Sequence, residues 1–291
     1  MAILALLLAP VANAGDGVDI KDTIKKSFSV KEGGTLSLDL DRGSIVIRSS
    51  SESTVLVEVD RIVGAESKED AKRILEQHQL EILKKGNDVV VRSRFDQDGF
   101  EWTKWRDRDR VKLKVVVRVP AQYNVEFTTG AGNVYAEDVD GMVNGTTGAG
   151  NVQIGRVSGR VSITSGTGNV DIDGAMGPVE IATGAGNIRV GEVAGEVVAN
   201  TGAGNIEAKI MSQPSSRSKL ETGAGNVTVY LSDSVGIDVH AETGIGSADC
   251  DFGLKVSGRF LSGKSFKGSV NGGGPALTMH SGAGSVSLKK Q

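Results

Sequence analysis

Cysteine, proline, aromatic residues and long apolar runs are all scarce in this chain of 291 residues. It has one cysteine (Cys250), five prolines and only 4% aromatic residues. A single cysteine excludes an intrachain disulfide framework and a multi-cysteine zinc site. So few prolines exclude a collagen-like chain or a proline-rich linker. No stretch reaches the ~18 consecutive apolar residues of a membrane-spanning helix, so none is predicted.

The net charge and the glycine content further restrict the class of protein to which this chain can belong. With 33 Lys and Arg against 36 Asp and Glu, the net charge is −3. Non-specific nucleic-acid binders are basic, so we expect no nucleic-acid partner. Glycine is abundant, with 40 residues, roughly twice the usual share. In an otherwise ordinary composition, this excess predicts many tight turns.

The sequence contains no recognisable catalytic or metal-binding motif. The histidines His78, His240 and His280 are far apart and lack metal-ligand spacing, and there is no G-x-S-x-G turn. We therefore predict no catalytic residue, no cofactor and no metal ligand. The carboxylate pairs Asp171/Asp173 and Asp249/Asp251 leave one enzymatic alternative open, which is a polysaccharide-acting enzyme that uses surface carboxylates.

The N-terminus resembles a secretory signal peptide. An apolar run from Ala2 to Ala9 precedes Pro10 and the small-residue site Ala12-Asn13-Ala14. The run departs from the signal-peptide pattern in that no Lys or Arg precedes it. A buried first strand is the alternative interpretation of these residues. We predict a signal peptide over residues 1–14, a linker over 15–27 and a mature protein that is exported to the periplasm or to the cell surface.

A repeated phrase dominates the second half of the chain. Thr-Gly-Ala-Gly-Asn-Val or a close variant begins at Thr129, Thr147, Ser165, Thr183, Thr201, Thr222, Thr243 and Ser281. The first four spacings are 18 residues, and each unit carries two apolar-x-apolar triplets that read as short strands. A fixed period with two strands per unit predicts a β-solenoid over residues 128–291, in which Val152, Ile154, Val157, Val161 and Ile163 point inward. A β-sandwich of repeated hairpins is the rival fold.

Residues 18 apart should be neighbours on adjacent coils, which predicts three outward columns. One is a charge column of Gln153, Asp171, Arg189, Glu207 and Thr228. Another is a threonine and serine column at the first position of each phrase. The third consists of Asn133, Asn151, Asn169, Asn187, Asn205 and Asn226. Stacked amides hydrogen-bond along such an axis, so we interpret the asparagines as a structural turn ladder, with a glycan-binding ridge as the alternative.

The region before the repeats predicts a β-rich cap over residues 28–127. Alternating apolar residues predict strands, and Ser67 begins a capping-box pattern that predicts a short helix. The segment 100–110 interleaves both tryptophans with cations, as a binding loop would. The candidate binding residues there are Trp102, Trp105, Arg106, Arg108 and Arg110.

The chain resembles a known family over residues 28–291. The features that carry the resemblance are the repeated turns, the apolar-x-apolar triplets and the strand-rich region with its short helix. This family is the bacterial "putative adhesin" family of β-strand-repeat proteins, a domain of unknown function. The resemblance implies a β-solenoid in an exported or envelope-associated protein with no established enzyme activity. Its motifs are turn and core residues, so it defines no site residue that could be carried over.

These observations together predict an exported, non-catalytic β-solenoid that serves as a binding or structural module of the bacterial cell envelope. The expected partner is an envelope polysaccharide or an envelope protein, and the oligomeric state is open. Two alternatives remain: the polysaccharide-acting β-helix enzyme and an envelope regulatory or interaction protein. From the chain order, we also expect the last coil, Ser281 to Leu288, to form the exposed end of the stack.

Overall fold

The structure, a computed structural model, describes residues 7–11, 18–95, 111–258 and 263–291. Its contacts divide the chain into two compact units, unit 1 (Met1–Glu137) and unit 2 (Asp138–Gln291). The elements of unit 1 are β1 (Leu7–Val11), β2 (Val18–Ser29), β3 (Thr35–Leu40), β4 (Ser44–Ser50), β5 (Thr54–Ala65), α1 (Lys68–Glu76), β6 (His78–Lys85), β7 (Asp88–Phe95), β8 (Val111–Pro120), β9 (Asn124–Ala131) and β10 (Val134–Ala136).

Unit 1 contains strands of both orientations. In one sheet the order is β1-β2-β5-β8-β4-β10, and in the other it is β9-β3-β7-β6. The long strands β2 and β5 pair antiparallel from Val18↔Ala65 to Ser29↔Thr54. The strands β6 and β7 form a hairpin, which turns at Gly86, where φ is +62°. These antiparallel pairs lie before Thr129, where the first repeated phrase begins.

The single helix among the described residues lies where the capping pattern predicted it. The side chain of Ser67 accepts a hydrogen bond from the backbone N–H of Asp70 and so caps α1. Ala71 and Ile74 are fully buried, in a cluster with Ile20 and Val63. Because one face of this short helix is apolar, it packs on the strands beside it.

A charged cluster is buried in unit 1. Asp22 is 2% exposed and forms an ion pair with Arg61. The Nη1 atom of Arg61 lies 3.3 Å from Nδ1 of His78, and Nε2 of His78 lies 2.7 Å from Oγ of Ser93. Burial, with the nearby Arg61 charge, lowers the pKa of His78 to about 4. His78 is therefore a neutral structural residue at physiological pH.

Unit 2 is built from two sheets. Its strands are β11 (Val143–Ala149), β12 (Val152–Val157), β13 (Val161–Thr167), β14 (Val170–Ala175), β15 (Val179–Ala185), β16 (Ile188–Val193), β17 (Val197–Ala203), β18 (Ile206–Ile210), β19 (Ser218–Ala224), β20 (Val227–Leu231), β21 (Ile237–Ile245), β22 (Ala248–Cys250), β23 (Ser257–Gly258), β24 (Lys264–Val270), β25 (Ala276–Ala283) and β26 (Val286–Lys290). We call the sheet ordered β12-β14-β16-β18-β20-β26-β22 sheet A, and the sheet ordered β11-β13-β15-β17-β19-β25-β21-β24-β23 sheet B.

The repeats of unit 2 form a β-solenoid, as the 18-residue period predicted. Each coil gives one strand to each sheet, and successive coils pair in parallel, as in Val152↔Val170 and Val170↔Ile188. The residues predicted to point inward, Val152, Ile154, Val157, Val161 and Ile163, are at most 1% exposed. Each apolar strip is covered by the facing sheet and by the coils above and below, so burial increases with stacking.

The order of coils at the C-terminal end differs from the chain order. The last coil, formed by β25 and β26, inserts between the coil of β19 and β20 and that of β21 and β22. The expectation that Ser281–Leu288 forms the exposed end is therefore wrong. The irregular segment after β22 instead folds back, and β24 pairs antiparallel with β21 from Ile237↔Val270 to Thr243↔Lys264.

Candidate binding site

The turn of each repeat stacks on the turn of the previous coil. At Gly168 the backbone has a φ of +132°, and a Cβ atom added there would overlap the carbonyl oxygen of Gly150. Glycine is therefore required at position 168 by both backbone conformation and space. The stacked turns bring the asparagine that follows each glycine into one column.

The asparagines bind along the stack through their side-chain oxygens. The backbone N–H of Asn169 donates to Oδ1 of Asn151 at 2.9 Å. The same bond at 2.8 Å recurs from Asn187 to Asn169 and from Asn205 to Asn187. Asn226 continues the column, donating to Asn205 and accepting from the N–H of Ser285. Since each of these oxygens is occupied by the next coil, it holds the turns together.

The threonine and serine column lies inside the protein, so the expectation that it faces outward is wrong. Thr147, Thr201 and Thr222 are 5% exposed or less. The hydroxyl of Thr201 donates to the carbonyl oxygen of Gly186 at 3.0 Å, and that of Thr222 donates to Gly204 at 2.8 Å. These buried hydroxyls thus find a hydrogen-bond partner in a turn carbonyl.

A shallow open depression lies on sheet B of unit 2. It has a volume of about 560 Å³ and crosses the five neighbouring strands β13, β15, β17, β19 and β25. Along its length run the outward side chains of Thr164, Ala182, Asn200, Glu221 and His280, each in register with the next. Small residues line one side: Gly184, Gly202 and Gly223. The depression therefore suits a ligand that lies across several coils.

Charged side chains gather at the end of the depression near His280. Lys219 pairs with Glu221 at 2.9 Å between Nζ and Oε2. Nδ1 of His280 lies 3.2 Å from Oε1 of Glu242, and Nε2 of His240 lies 3.7 Å from Oε2 of the same carboxylate. Sequence reasoning missed this cluster because 40 residues separate the two histidines. Only the insertion of β25 beside β21 brings them onto adjacent strands.

The carboxylate pairs on which the enzymatic alternative rests do not line this depression. Asp171 and Asp173 lie on sheet A, where Arg189 binds both, with 2.9 Å between its Nη2 and Oδ1 of Asp171. The hydrogen bond to Asp171 and the charge of this carboxylate raise the pKa of Arg189. Asp251 accepts a hydrogen bond from the backbone N–H of Lys290. Neither pair is among the residues around the depression.

The candidate residues of the tryptophan-rich loop lie outside the described residues. Trp102, Trp105, Arg106, Arg108 and Arg110 all fall between 95 and 111, and the loop stays a prediction. Within the described ranges, no helix has the length and hydropathy needed to cross a bilayer.

Comparisons with known proteins give a family and a set of similar folds. The family model described as Toastrack DUF4097 matches residues 34–270. A comparison with curated proteins gave no match.

Several solved bacterial structures are similar over most of this chain. A "putative adhesin" from Bacteroides fragilis is 12% identical, with a TM-score of 0.43, and the match covers 92% of this chain and 97% of that one. A "putative lipid binding protein" from Parabacteroides distasonis is 11% identical, also with a TM-score of 0.43, and the match covers 91% and 96%. A "putative cell adhesion protein" from Clostridium sporogenes is 14% identical, with a TM-score of 0.32 and coverage of 92% and 99%.

Proposed function

Since the chain belongs to the Toastrack DUF4097 family, whose β-solenoid it shares, we propose that it is an exported, non-catalytic binding module of the bacterial cell envelope. The observation that carries this proposal is the depression on sheet B, which crosses five coils. Four strand spacings span ~19 Å, which is longer than a single small metabolite. An extended polymer would contact all five coils that the depression crosses.

The chemistry of the depression favours a polar chain as the ligand. Its outward side chains offer a hydroxyl (Thr164), an amide (Asn200), a carboxylate (Glu221) and an imidazole (His280). Such groups hydrogen-bond to the hydroxyls and amides of sugars. Of the two partners that the sequence predicts, we therefore place envelope polysaccharide first and an envelope protein second.

The rigidity of the sheet beneath the depression supports binding without catalysis. Each coil is fixed by the asparagine bonds and by the buried threonine hydroxyls, so the strip is organised before a ligand arrives. Catalysis on polysaccharide needs two carboxylates that face each other across a cleft. Among the residues that line the depression, Glu221 is the one carboxylate, and Lys219 pairs with it. Glu242 lies beyond the His280 end.

The binding test uses purified full-length protein on a glycan array and in peptidoglycan sedimentation. Ala182→Arg places a long cation in the middle of the depression and should abolish binding. Ser162→Arg is the matched control, because Ser162 is half-buried on the adjacent strand and does not line the depression. A Trp102→Ala/Trp105→Ala variant tests the predicted loop separately.

Each result of this test has a distinct meaning. Loss of binding in Ala182→Arg alone supports the depression, and loss in the tryptophan variant alone moves the site to the predicted loop. If wild-type protein binds no glycan, the polysaccharide proposal fails, and the search turns to envelope proteins. Release of new reducing ends from a bound glycan would support the enzymatic alternative instead.

Export needs its own test, since it rests on residues 1–14. Cleavage after Ala14 would remove β1, which pairs with β2 from Leu7↔Thr23 to Val11↔Asp19. We expect residues 1–27 to direct a reporter that is active only in an oxidising compartment, and Leu7→Arg to abolish this activity by breaking the apolar run. A reporter that stays inside the cell in both cases contradicts export through this segment.

A further inference from the structure

One edge of the long strand β2 is only partly covered. On one side β2 pairs with β5 along its whole length, and on the other side β1 covers only Asp19 to Thr23. Among the described residues, no strand lies against residues 24–29 on that second side. The edge strands β22 and β23 of unit 2 are much shorter, with three and two residues. Short edges oppose pairing with another chain, whereas a long open edge permits it.

Export would lengthen the open edge of β2. The proposed cleavage after Ala14 removes β1, whose pairing with β2 runs from Leu7↔Thr23 to Val11↔Asp19. The edge is then open over residues 19–29. The pairing with β1 shows that this edge accepts an antiparallel strand. An interaction along the full edge therefore rests on the proposed export and cleavage.

The inner face of β2 is incompletely buried. Alternate residues of a strand share one face, and on this face Ile20 and Asp22 are buried. Further along the same face, Ile24, Lys26 and Phe28 are only half-buried. Two apolar side chains thus keep part of their surface in water, and another strand beside β2 would cover them.

The sequence of β2 is complementary to itself in one antiparallel register. When Ile24 faces Ile24 of a second copy, the inner face pairs Ile20 with Phe28 and Asp22 with Lys26. Two-fold symmetry makes each unlike pair occur twice. Apolar and opposite-charge pairs across strands are both stabilising. The outer face pairs Asp19 with Ser29, Lys21 with Ser27 and Thr23 with Lys25.

Neighbouring registers place like charges opposite each other. With the two-fold axis at Thr23, Lys21 would face Lys25. With the axis at Asp22 or at Lys25, that residue would face its own copy. Like charges directly opposite each other are destabilising. The charge pattern of β2 therefore selects the register centred on Ile24.

A buried oxygen atom of β2 supports the same register. Oδ2 of Asp22 accepts a hydrogen bond from Nε of Arg61, but Oδ1 is buried and has no hydrogen-bond partner among the described residues. In the register centred on Ile24, Lys26 of the second copy stands opposite Asp22. The ammonium of Lys26 donates to the carbonyl oxygen of Ile82 and has further donors left for this carboxylate.

We propose that removal of residues 1–14 allows β2 to pair antiparallel with β2 of a second copy, with a two-fold axis at Ile24. Pairing over residues 19–29 forms on the order of ten backbone hydrogen bonds. In the unprocessed chain, β1 covers Asp19 to Thr23 and so blocks this pairing. Dimerisation therefore follows export and processing.

Cleavage of the folded full-length chain in vitro tests the pairing. A site for a specific protease is inserted between Ala14 and Gly15, and analytical ultracentrifugation measures the mass before and after cutting. The uncut chain should be a monomer, and the cut chain, once separated from its leader, should have twice the mass. Circular dichroism establishes that the fold is retained.

The added protease makes this test independent of export. A cut chain that stays monomeric overturns the dimer alone, whereas an export reporter that fails overturns export alone. Ala182→Arg, which fills the depression of unit 2, should dimerise like wild type after cutting, so the dimer and glycan binding are also tested separately.

Two variants of one exposed residue test the register by charge. Ser27 is exposed and stands opposite Lys21 twice in the proposed dimer. Ser27→Lys should weaken dimerisation of the cut chain about tenfold, and Ser27→Glu should strengthen it by a similar factor. General damage to the fold would not strengthen the dimer. Equal affinities of the two variants overturn the pairing through β2.

A cross-linking pair tests the position of the two-fold axis. In a Cys250→Ser background, Ile24→Cys should give a disulfide-linked dimer under mild oxidation, because the two copies of residue 24 face each other. Ser27→Cys should not, because the two copies of residue 27 lie ~20 Å apart along the strands. Cross-linking of Ser27→Cys as readily as Ile24→Cys overturns the register.

Discussion

Units 1 and 2 bury polar side chains in different ways. In unit 2, every buried polar side chain of the described residues is threonine or serine. The hydroxyls of Thr201, Thr222 and Ser281 each donate to a turn carbonyl, so the same contact recurs from coil to coil. In unit 1, the buried polar groups include the charged residue Asp22, with His78 and Ser93. Arg61, whose side chain is 11% exposed, forms the ion pair with Asp22.

The two units therefore differ in how their stability is distributed. A solenoid distributes its stability over many equivalent coil interfaces, so its requirement is that no turn carries extra atoms. A buried ion pair concentrates a large cost in one spot, because either charge without the other is strongly destabilising. We therefore expect unit 2 to be sensitive to added volume in the turns and unit 1 to be sensitive to protonation.

The largest expected effect comes from adding one methyl group to a stacked turn. At Gly186, φ is +146° and a Cβ atom would overlap the carbonyl oxygen of Gly168. Gly186→Ala should lower the free energy of unfolding by about 3–5 kcal/mol, since it combines backbone strain with overpacking. Urea unfolding measures the loss.

Gly86→Ala in unit 1 is the matched control for this turn variant. Gly86 also has a positive φ, +62°, but no atom lies within 4 Å of an added Cβ. Only the backbone cost remains, and we expect a loss of about 1 kcal/mol. Equal losses in the two variants would contradict the view that stacking makes the solenoid turns intolerant.

The second largest effect is a loss of folding stability in unit 1 when the pH is lowered. Burial and the charge of Arg61 lower the pKa of His78 from 6.5 to about 4. The unfolded chain therefore takes up a proton as the pH falls through 6.5, whereas the folded chain takes it up near 4. Folding stability contributed by neutral His78 is fully present above pH 6.5 and is lost between 6.5 and 4, by up to about 3 kcal/mol.

Unfolding free energies at several pH values between 7 and 4 measure this loss. The His78→Gln variant provides the comparison, because its side chain stays neutral throughout and its acid-induced loss should be smaller. The imidazole resonances of His78 should titrate near pH 4 by NMR. Titration near 6.5 would show that the cluster does not exclude the charged imidazole.

The repeats made the solenoid predictable, because one period specifies many contacts at once. Glycines nine residues apart and the apolar triplets defined the coils, the register and the inward residues such as Ile163. The position of Ser165 was available from the same alternation, since Val161, Ile163 and Ser165 share one face of β13. The prediction instead treated hydroxyl residues as surface residues, and so it placed the threonine and serine column on the outside of the solenoid.

Other features had no signal in the sequence. The insertion of β25 between β19 and β21 depends on which strands pair across the irregular segment after Leu231. The cluster of His240, Glu242 and His280 depends on that insertion. Asp22 follows Ile20 on the buried face of β2, and a carboxylate there can be recognised as internal only when Arg61 is seen beside it.

The smallest expected effect tests the charge column of the solenoid. Arg189 stands between Asp171 and Glu207 in register, and it binds Asp171 through both Nε (3.1 Å) and Nη2 (2.9 Å). Arg189→Glu replaces these attractions by repulsion. Since these side chains are a third to a half exposed, solvent screening keeps the cost near ~1 kcal/mol.

Thermal unfolding at low and high salt checks the charge-column variant. The melting temperature of Arg189→Glu should fall, and most of the fall should disappear in high salt, because screening acts on exposed charges. Arg189→Gln should lie between the two, and the charge-swapped pair Asp171→Arg/Arg189→Glu should recover part of the loss. An unchanged melting temperature at low salt would mean that the stacked coils are held in register by the asparagines, glycines and apolar residues alone, with no contribution from the charges on their surface.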